Sequence, residues 1–303
     1  MRRGLMGSAM LCLAAAWSLP AQAQLSNDTV KIGVATDLSS LYADINGPGA
    51  VLAAQMAIED FGGTVLGKKI EFVSSDIQNK ADVAATTAGR WYDNENVDVI
   101  LGAGASSSSI AVANVAGEKK KIFLAPDPAS SDLTGKLCNP YTVHWVYDTA
   151  ALANGTGSAV VQAGGKEWFF LTDTINSIKQ AAEFGIVRGG QKLAGLLVFV
   201  SDVHSLGLER AQGLSLTEAF YWDLNDKTRA FSKRFAERFK GKMPTMAQAG
   251  FYSGVLAYLN AVKAAGTDNP DKVMAKMKEG TWDDPVFGKS WIRADGRKMH
   301  DMY

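Results

Sequence analysis

The chain has 303 residues, with 31 Lys and Arg against 31 Asp and Glu, and 47% of its residues are hydrophobic. This apolar and evenly charged composition excludes an intrinsically disordered chain. It also excludes the strongly basic surface that non-specific nucleic-acid binding requires. The length suffices for two domains of ordinary size, each with its own core.

The first residues have the features of a secretory signal peptide. Arg2 and Arg3 precede an apolar stretch over 5–17, and Pro20 precedes the small-x-small triplet Ala21–Ala23. The stretch is shorter than the ~20 residues of a membrane-spanning helix, and no later stretch is suited to span a bilayer. We therefore expect cleavage after Ala23 and export to the periplasm, with Cys138 as the single cysteine of the mature chain.

Short apolar runs alternate with helical patterns through the first half of the mature chain. Strands are predicted over 30–35, 69–73, 97–101 and 122–124, and helices over 50–61, 81–92 and 110–118. This alternation is typical of a parallel sheet that helices cover on both faces. The predicted fold class is therefore α/β.

The same alternation resumes after a segment rich in Pro, Ser and Gly at 126–140. The pattern predicts strands over 142–145, 168–171, 193–200 and 214–221, and helices over 150–163, 173–184, 226–239 and 246–265. A last short helix is predicted to run from Pro270 to Met277, with Asp268 or Asn269 as its cap. The order of elements predicts two Rossmann-like lobes.

Two hydroxyl-rich loops follow consecutive predicted strands. Ser106 and Ser107 open the helix after the third strand, and Ala129 and Ser130 follow the fourth. The carboxyl ends of parallel strands share one edge of the sheet, where ligands bind in open α/β folds. Hydroxyls and helix N–H groups without an intervening Lys or Arg suit a carboxylate better than a phosphate, although simple helix capping explains the serines equally well. Tyr42, in the loop after the first strand, is expected to add an aromatic wall at this edge.

Motifs of catalysis and of metal or cofactor binding are missing from the sequence. It contains no HExxH, no Cys–His spacing for zinc, no GxSxG and no GxxxxGK[ST] motif. Gly102-x-Gly104 is only an incomplete dinucleotide-binding pattern. We therefore expect no enzyme, no cofactor and no metal. His204, beyond the predicted strand at 193–200, suits either a pocket wall or a structural loop position.

Longer segments resemble the periplasmic substrate-binding proteins of ABC importers of the branched-chain amino acid type. These segments are VKIGV, DLSSLYADINGPG, GAGASSSS, SSDLTG, HWVYDTAALANGTG and DTINSIKQAAEFGI. HWVYDT and DVHSLG are most similar to the branch that binds aromatic carboxylates. The resemblance implies the type I periplasmic-binding-protein fold, with a first lobe over 24–146, a second lobe over 147–247 and a return to the first lobe over 248–303.

The resemblance also implies a function. The chain would be a monomeric carrier that closes on a small carboxylate, either a branched-chain amino acid or an aromatic acid. It would deliver this ligand to an inner-membrane ABC permease. The alternatives are a ligand-sensing module of the same fold that acts with a separate receptor, and an enzyme on a Rossmann-type sheet.

The resemblance further implies which residues contact the ligand. In the first lobe, the ligand carboxylate would be held by Ser106, with Ser107, and by Ser130 beside Ala129. In the second lobe, the contacts would come from Tyr147, Asp173, Thr174 and Asp202. An acidic side chain among these contacts would receive the ammonium of an amino acid, whereas Asp202 and His204 would meet a ring hydroxyl of an aromatic acid.

The sequence departs from this family at Thr172, which runs directly into Asp173 where family members have further strands and helices. With ~30 residues per βαβ unit, the second lobe is expected to be short by about two β–α units. The chain also stops at Tyr303, where the family has more strand. We expect uncovered sheet edges, an incomplete ligand wall and impaired ligand binding.

Overall fold

The computed structural model describes residues 25–166 and 174–303. The predicted signal peptide, the predicted strand at 168–171 and Asp173 lie outside the described residues.

The first lobe is built on a six-stranded sheet. Its strands are β1 (Thr29–Thr36), β2 (Thr64–Val65), β3 (Lys68–Asp76), β4 (Val99–Gly102), β5 (Ile122–Ala125) and β6 (Thr142–His144). They lie in the order β2-β3-β1-β4-β5-β6, and all pairs are parallel except β2–β3. The first four predicted strands are thereby confirmed, and only the short antiparallel β2 was not predicted.

Three helices connect these strands and cover the sheet. They are α1 (Gly47–Phe61), α2 (Ala81–Asn94) and α3 (Ser106–Lys119). Asn46 caps α1 by accepting from Gly47 N, and Gly62 ends it in the left-handed region at φ 97°. Val34 contributes to the core on one face of the sheet, whereas Ala35 contributes to the core that α2 and α3 cover. The prediction of helices on both faces is confirmed.

The second lobe differs from the sequence expectation. Its elements are α4 (Thr149–Gln162), α5 (Thr174–Glu183), β7 (Leu193–Gly195), α6 (Val200–Leu206) and β8 (Leu214–Leu216). Its described sheet consists of β7 and β8, three parallel residue pairs long. The strands predicted over 193–200 and 214–221 are therefore too long, and α6 was missed. Leu196 and Leu197 are 40% and 47% exposed, because this small sheet does not provide the two covering layers that an apolar parallel strand needs.

The chain then returns to the first lobe through three helices that match their predictions. They are α7 (Asp226–Arg238), α8 (Met246–Ala265) and α9 (Pro270–Met277), the last capped by Asn269. α8 packs against α1. α7 also lies on α1, through ion pairs of Arg234 with Asp60 at 2.7 Å and Arg238 with Glu59 at 2.6 Å. The predicted lobe boundary at 247 stays a prediction, although this packing puts α7 beside the first lobe.

A small antiparallel sheet, which was not predicted, completes the fold. Its strands are β9 (Trp282–Asp284), β10 (Gly288–Ile292) and β11 (Lys298–Met299). A buried ion pair within this sheet joins Lys298 Nζ to Asp284 Oδ2 at 3.0 Å, and Asp284 Oδ2 accepts from Ser253 Oγ on α8. The sheet is thereby held to the longest helix of the first lobe.

Candidate functional site

The loop after β4 makes a tight turn at the carboxyl edge of the sheet. Gly102 has φ +115°, and a Cβ at this position would lie 2.3 Å from the carbonyl oxygen of Ala35. Ala103 N donates to that same oxygen at 2.6 Å, and Ala103 itself adopts φ 77°. Only glycine satisfies both the positive φ and the close backbone approach at position 102. This turn sets the place where α3 begins.

Ser106 links the two hydroxyl-rich loops. It is the first residue of α3, and its Oγ accepts from Ala129 N at 3.2 Å and from Ser130 N at 3.1 Å. A hydroxyl that accepts two hydrogen bonds still has one hydrogen to donate. The helix cap residue is Ala105, which has no side chain for capping, so Ser106 does not serve as the N-cap. The structure thus brings the two predicted loops together at one point of the sheet edge.

The other predicted residues of the first lobe lie around this point with different exposures. Ser130 caps the 3₁₀ helix at Ser131–Thr134 by accepting from Asp132 N at 3.3 Å. Ser107 is exposed. Tyr42 is half-buried, and its N–H donates to the buried Asp37, which holds the loop after β1. Ser130 and Tyr42 are thus positioned by local hydrogen bonds at the same sheet edge, whereas Ser107 points to solvent.

Asp127 is buried beneath the two loops. Its Oδ2 accepts from Asn46 Nδ2 at 2.8 Å and from Gly104 N at 3.1 Å. Its Oδ1 is buried and has no hydrogen-bond partner within the described residues. Burial raises the pKa of Asp127 to about 7, and the two hydrogen bonds only partly oppose this rise. His144 contacts the same loop, because its Nε2 lies within hydrogen-bond distance of Pro128 O, at 2.8 Å.

Tyr147 connects the loop of Asp127 to the second lobe. Its hydroxyl donates to Asp127 O at 2.7 Å, and its ring centroid lies 5.4 Å from that of Phe199. Burial raises the pKa of Tyr147 well above the usual range, and the charges of Asp127 and Glu218 raise it further. The hydroxyl of Tyr147 is therefore a neutral donor fixed at the junction of the lobes.

The predicted residues of the second lobe are only partly brought to this junction. Asp202 lies in the first turn of α6, where its Oδ2 accepts from Phe199 N at 2.8 Å, and burial raises its pKa. His204 lies on the same helix but is exposed. Asp173 lies outside the described residues, and Thr174 is the first residue of α5. Asp202 is thus near Tyr147 through Phe199, while His204 points away into solvent.

Glu218 was missed by the sequence reasoning. It is 6% exposed, its Oε1 accepts from Val200 N at 2.8 Å, and its Oε2 has no partner within the described residues. Burial raises its pKa to about 8. One signal could have identified it, since it is a lone acid inside the apolar run 214–221 that was predicted as a strand.

The arrangement combines a donor-rich edge on one lobe with buried acids where the lobes meet. Within residues 25–166 and 174–303, no group of three or more His, Cys, Asp or Glu is placed to hold a metal ion. None of the helices in these ranges is long and apolar enough to cross a membrane. A mostly parallel α/β sheet whose carboxyl edge is linked to a second lobe through Tyr147 and Phe199 is typical of two-lobed ligand-binding proteins.

Comparison with known proteins gives the family. The model of the periplasmic binding protein family matches residues 29–174 and 172–303, and the chain belongs to this family. The two matched segments overlap at 172–174, where the sequence departs from the pattern expected for the family. Among curated proteins, the comparison finds no match.

Solved structures give the same fold. A periplasmic binding protein from Burkholderia mallei is 42% identical, with a TM-score of 0.85 over 91% of this chain and 88% of that one. A branched chain amino acid ABC transporter periplasmic ligand-binding protein from Burkholderia xenovorans is 34% identical, with a TM-score of 0.83 over 90% and 89%. A solute binding protein of an ABC transporter from Rhodopseudomonas palustris, in complex with 3,4-dihydroxybenzoic acid, shares the fold at 20% identity, with a TM-score of 0.80 over 91% and 92%.

Proposed function

We propose that this chain is the solute-binding component of an ABC importer. It is exported by a signal peptide cleaved after Ala23, captures a small carboxylate as a monomer, and presents it to a permease by closing its two lobes. Closure follows when the ligand binds the closed form more tightly than the open one. The role is binding rather than catalysis.

One observation carries this proposal, namely the meeting of two hydroxyl-bearing loops at Ser106. The Ser106 hydroxyl lies within hydrogen-bond distance of the backbone of Ala129 and Ser130, at the sheet edge where α/β folds bind ligands. A carboxylate at this point would receive donors from Ser106, Ser130 and the first turn of α3. The family match and the Burkholderia relatives support the same role.

The test is ligand binding by serine variants. Isothermal titration with a panel of amino acids and aromatic acids should find a ligand for the mature chain. Ser106→Ala and Ser130→Ala should each weaken its binding by about 1–3 kcal/mol, because a charged acceptor then lacks a donor. Ser74→Ala, at an exposed position of β3, is the matched control and should bind normally. Unchanged affinity in both site variants would contradict the assignment.

We further propose that the second lobe is shortened and that ligand binding is impaired as a result. Three observations support this: the three-residue strands β7 and β8, the exposed Leu196 and Leu197, and the division of the family match into two segments that overlap at 172–174. Thermal unfolding with and without the ligand panel tests it. A cooperative transition that a micromolar ligand raises would refute impairment, whereas a broad transition that only a millimolar ligand raises would support it. A transition that no ligand of the panel raises would contradict the proposed function as well.

A further inference from the structure

The carboxyl group of Asp127 joins three loops at the carboxyl edge of the first-lobe sheet. Asp127 itself lies in the loop after β5 and is 5% exposed. Its Oδ2 accepts from Asn46 Nδ2, in the loop after β1, at 2.8 Å and from Gly104 N, in the loop after β4, at 3.1 Å. Ser106 follows Gly104 by two residues, and Ser130 follows Asp127 by three. The placement of both serines therefore depends on Asp127.

Only one oxygen of this carboxyl group makes these bonds. Oδ2 accepts both of them, whereas Oδ1 is buried and has no hydrogen-bond partner among the residues that the structure describes. A buried oxygen without a donor favours the neutral acid, because nothing at Oδ1 stabilises negative charge. A proton on Oδ1 leaves both bonds to Oδ2 in place. Asp127 therefore holds the three loops in either protonation state, and the two states differ mainly in charge.

The elements that pack around Asp127 bring few positive charges to it. Their titratable and charged groups are Asp37, Tyr42, Asp44, Asp132, His144, Tyr147, Asp148 and Arg297. Arg297 is already engaged by Asp148 at 3.0 Å and by the carbonyls of His144 and Val146. Burial lowers the pKa of His144, so this side chain is neutral near neutral pH. No cation forms an ion pair with Asp127 within residues 25–166 and 174–303.

A carboxylate held by Ser106 and Ser130 would bring a second negative charge to this place. The loop segments 104–107 and 127–131 contain no Lys or Arg to separate the two charges. Two like charges in a buried site raise each other's free energy, so the bound anion favours the protonated form of Asp127. Resting on the proposed function, we propose that Asp127 is a positioning residue that takes up a proton when a carboxylate binds to the serine loops. The carrier then releases its ligand more readily as the pH rises.

Proton uptake fixes the sign of the pH dependence of binding. Burial raises the pKa of Asp127 in the ligand-free protein to about 7. Well below this pKa the proton is already bound, so the affinity does not depend on pH. Above it each ligand must bind together with a proton, and the affinity falls by up to about tenfold per pH unit until the pKa of the complex is reached. At about pH 7, binding should take up about half a proton.

The experiment is isothermal titration of the mature chain with L-leucine and with benzoate, whose carboxyl groups stay ionised between about pH 6 and about pH 8. We expect the affinity of whichever ligand binds to fall about five- to tenfold over this range. Titrations in phosphate and in imidazole buffer, which differ in ionisation enthalpy, measure the proton uptake directly. Asp127→Asn keeps an acceptor oxygen for Asn46 and Gly104 but cannot titrate, so it should bind at the lower pH, show a flat profile and take up no proton. Asp82→Asn, at an exposed position of α2, is the matched control and should behave as wild type.

A wild-type affinity that is flat or rises with pH would overturn the role of Asp127, and so would a pH dependence that persists in Asp127→Asn. Glu218, whose pKa burial raises to about 8, is the other buried acid that titrates near this range. Loss of the pH dependence in Glu218→Gln, with its retention in Asp127→Asn, would therefore assign the proton to Glu218 and contradict the inference.

Binding of neither ligand at millimolar concentration would instead overturn the proposed function itself, together with the inference. Circular dichroism checks the folding of each variant. If Asp127→Asn does not fold, the wild-type protein and Glu218→Gln decide, because both must take up a proton when the ligand binds if Asp127 is the group that titrates.

Discussion

Replacing Asp284 by Asn would leave the ammonium of Lys298 buried without a counter-charge. Both side chains are buried, and Lys298 Nζ lies 3.0 Å from Asp284 Oδ2 and 4.0 Å from the centroid of the Phe287 ring. Burial lowers the pKa of Lys298 to about 8, against the effect of Asp284. Burial alone would raise the pKa of Asp284, but Lys298 and Ser253 outweigh it, and this pKa lies below its usual value.

Breaking a buried pair from one side costs about 3–5 kcal/mol, because the remaining charge has neither water nor partner. We expect this loss in the free energy of unfolding for Asp284→Asn and for Lys298→Met alike. The double variant removes both charges and should regain most of the loss, since replacing both members of a buried pair is often neutral or stabilising. The free energy of unfolding of a folded protein is about 5–15 kcal/mol, so each single variant should lose a large share of its stability.

Urea unfolding followed by circular dichroism measures all four proteins of this cycle. The exposed pair of Arg238 and Glu59 provides the control, and Glu59→Gln should cost less than about 1 kcal/mol. Losses that simply add in the double variant, or a single variant that costs less than about 1 kcal/mol, would refute the reasoning.

Three further predictions use unfolding measurements. Gly102→Ala should destabilise by more than about 1 kcal/mol because its Cβ would meet Ala35 O, whereas Gly89→Ala, with open space on α2, should stabilise by about 0.5–1 kcal/mol. Glu218 binds its proton more tightly in the folded protein than in the unfolded chain, since burial raises its pKa from 4.5 to about 8. The ligand-free protein should therefore lose up to about 5 kcal/mol as pH rises through this window, and Glu218→Gln should reduce that loss. Leu206→Ala should speed hydrogen exchange in the second lobe alone, whereas Leu259→Ala, in the first-lobe core, should speed it in β1 and β5.

The first lobe was predictable because its signals are local. Its strands are short apolar runs with helices on both sides, and helix ends such as Asn46, Gly62 and Asn269 have the residue types that such ends favour. The rule that ligands bind at the carboxyl edge of a parallel sheet also predicts, from the sequence alone, that Ser106 and Ser130 lie close together. The antiparallel strands β9–β11 were missed because they are two to five residues long and depend on partners elsewhere.

The second lobe was not predictable in the same way, since the length of a strand depends on its neighbours. The apolar run 193–200 has the composition of a buried strand, yet only three of its residues pair, because β8 is the single described strand beside it. The burial of Glu218 is likewise a tertiary property. Its sequence neighbours fix neither the bond to Val200 nor the packing of Phe199 on Tyr147.

The two halves of the candidate site therefore lie on lobes whose hydrophobic cores differ greatly in size. The donors for the carboxylate lie on a lobe with cores on both faces of a six-stranded sheet. The contacts proposed to set selectivity depend on a lobe whose separate core, in the part of the chain that the structure describes, consists of Ile178, Val198 and Leu206 with a few partly buried neighbours. Loss of a few contacts in so small a core removes a large fraction of its stabilisation. We therefore expect ligand selectivity to be lost before the first lobe unfolds, and its carboxylate donors to remain in place when that happens.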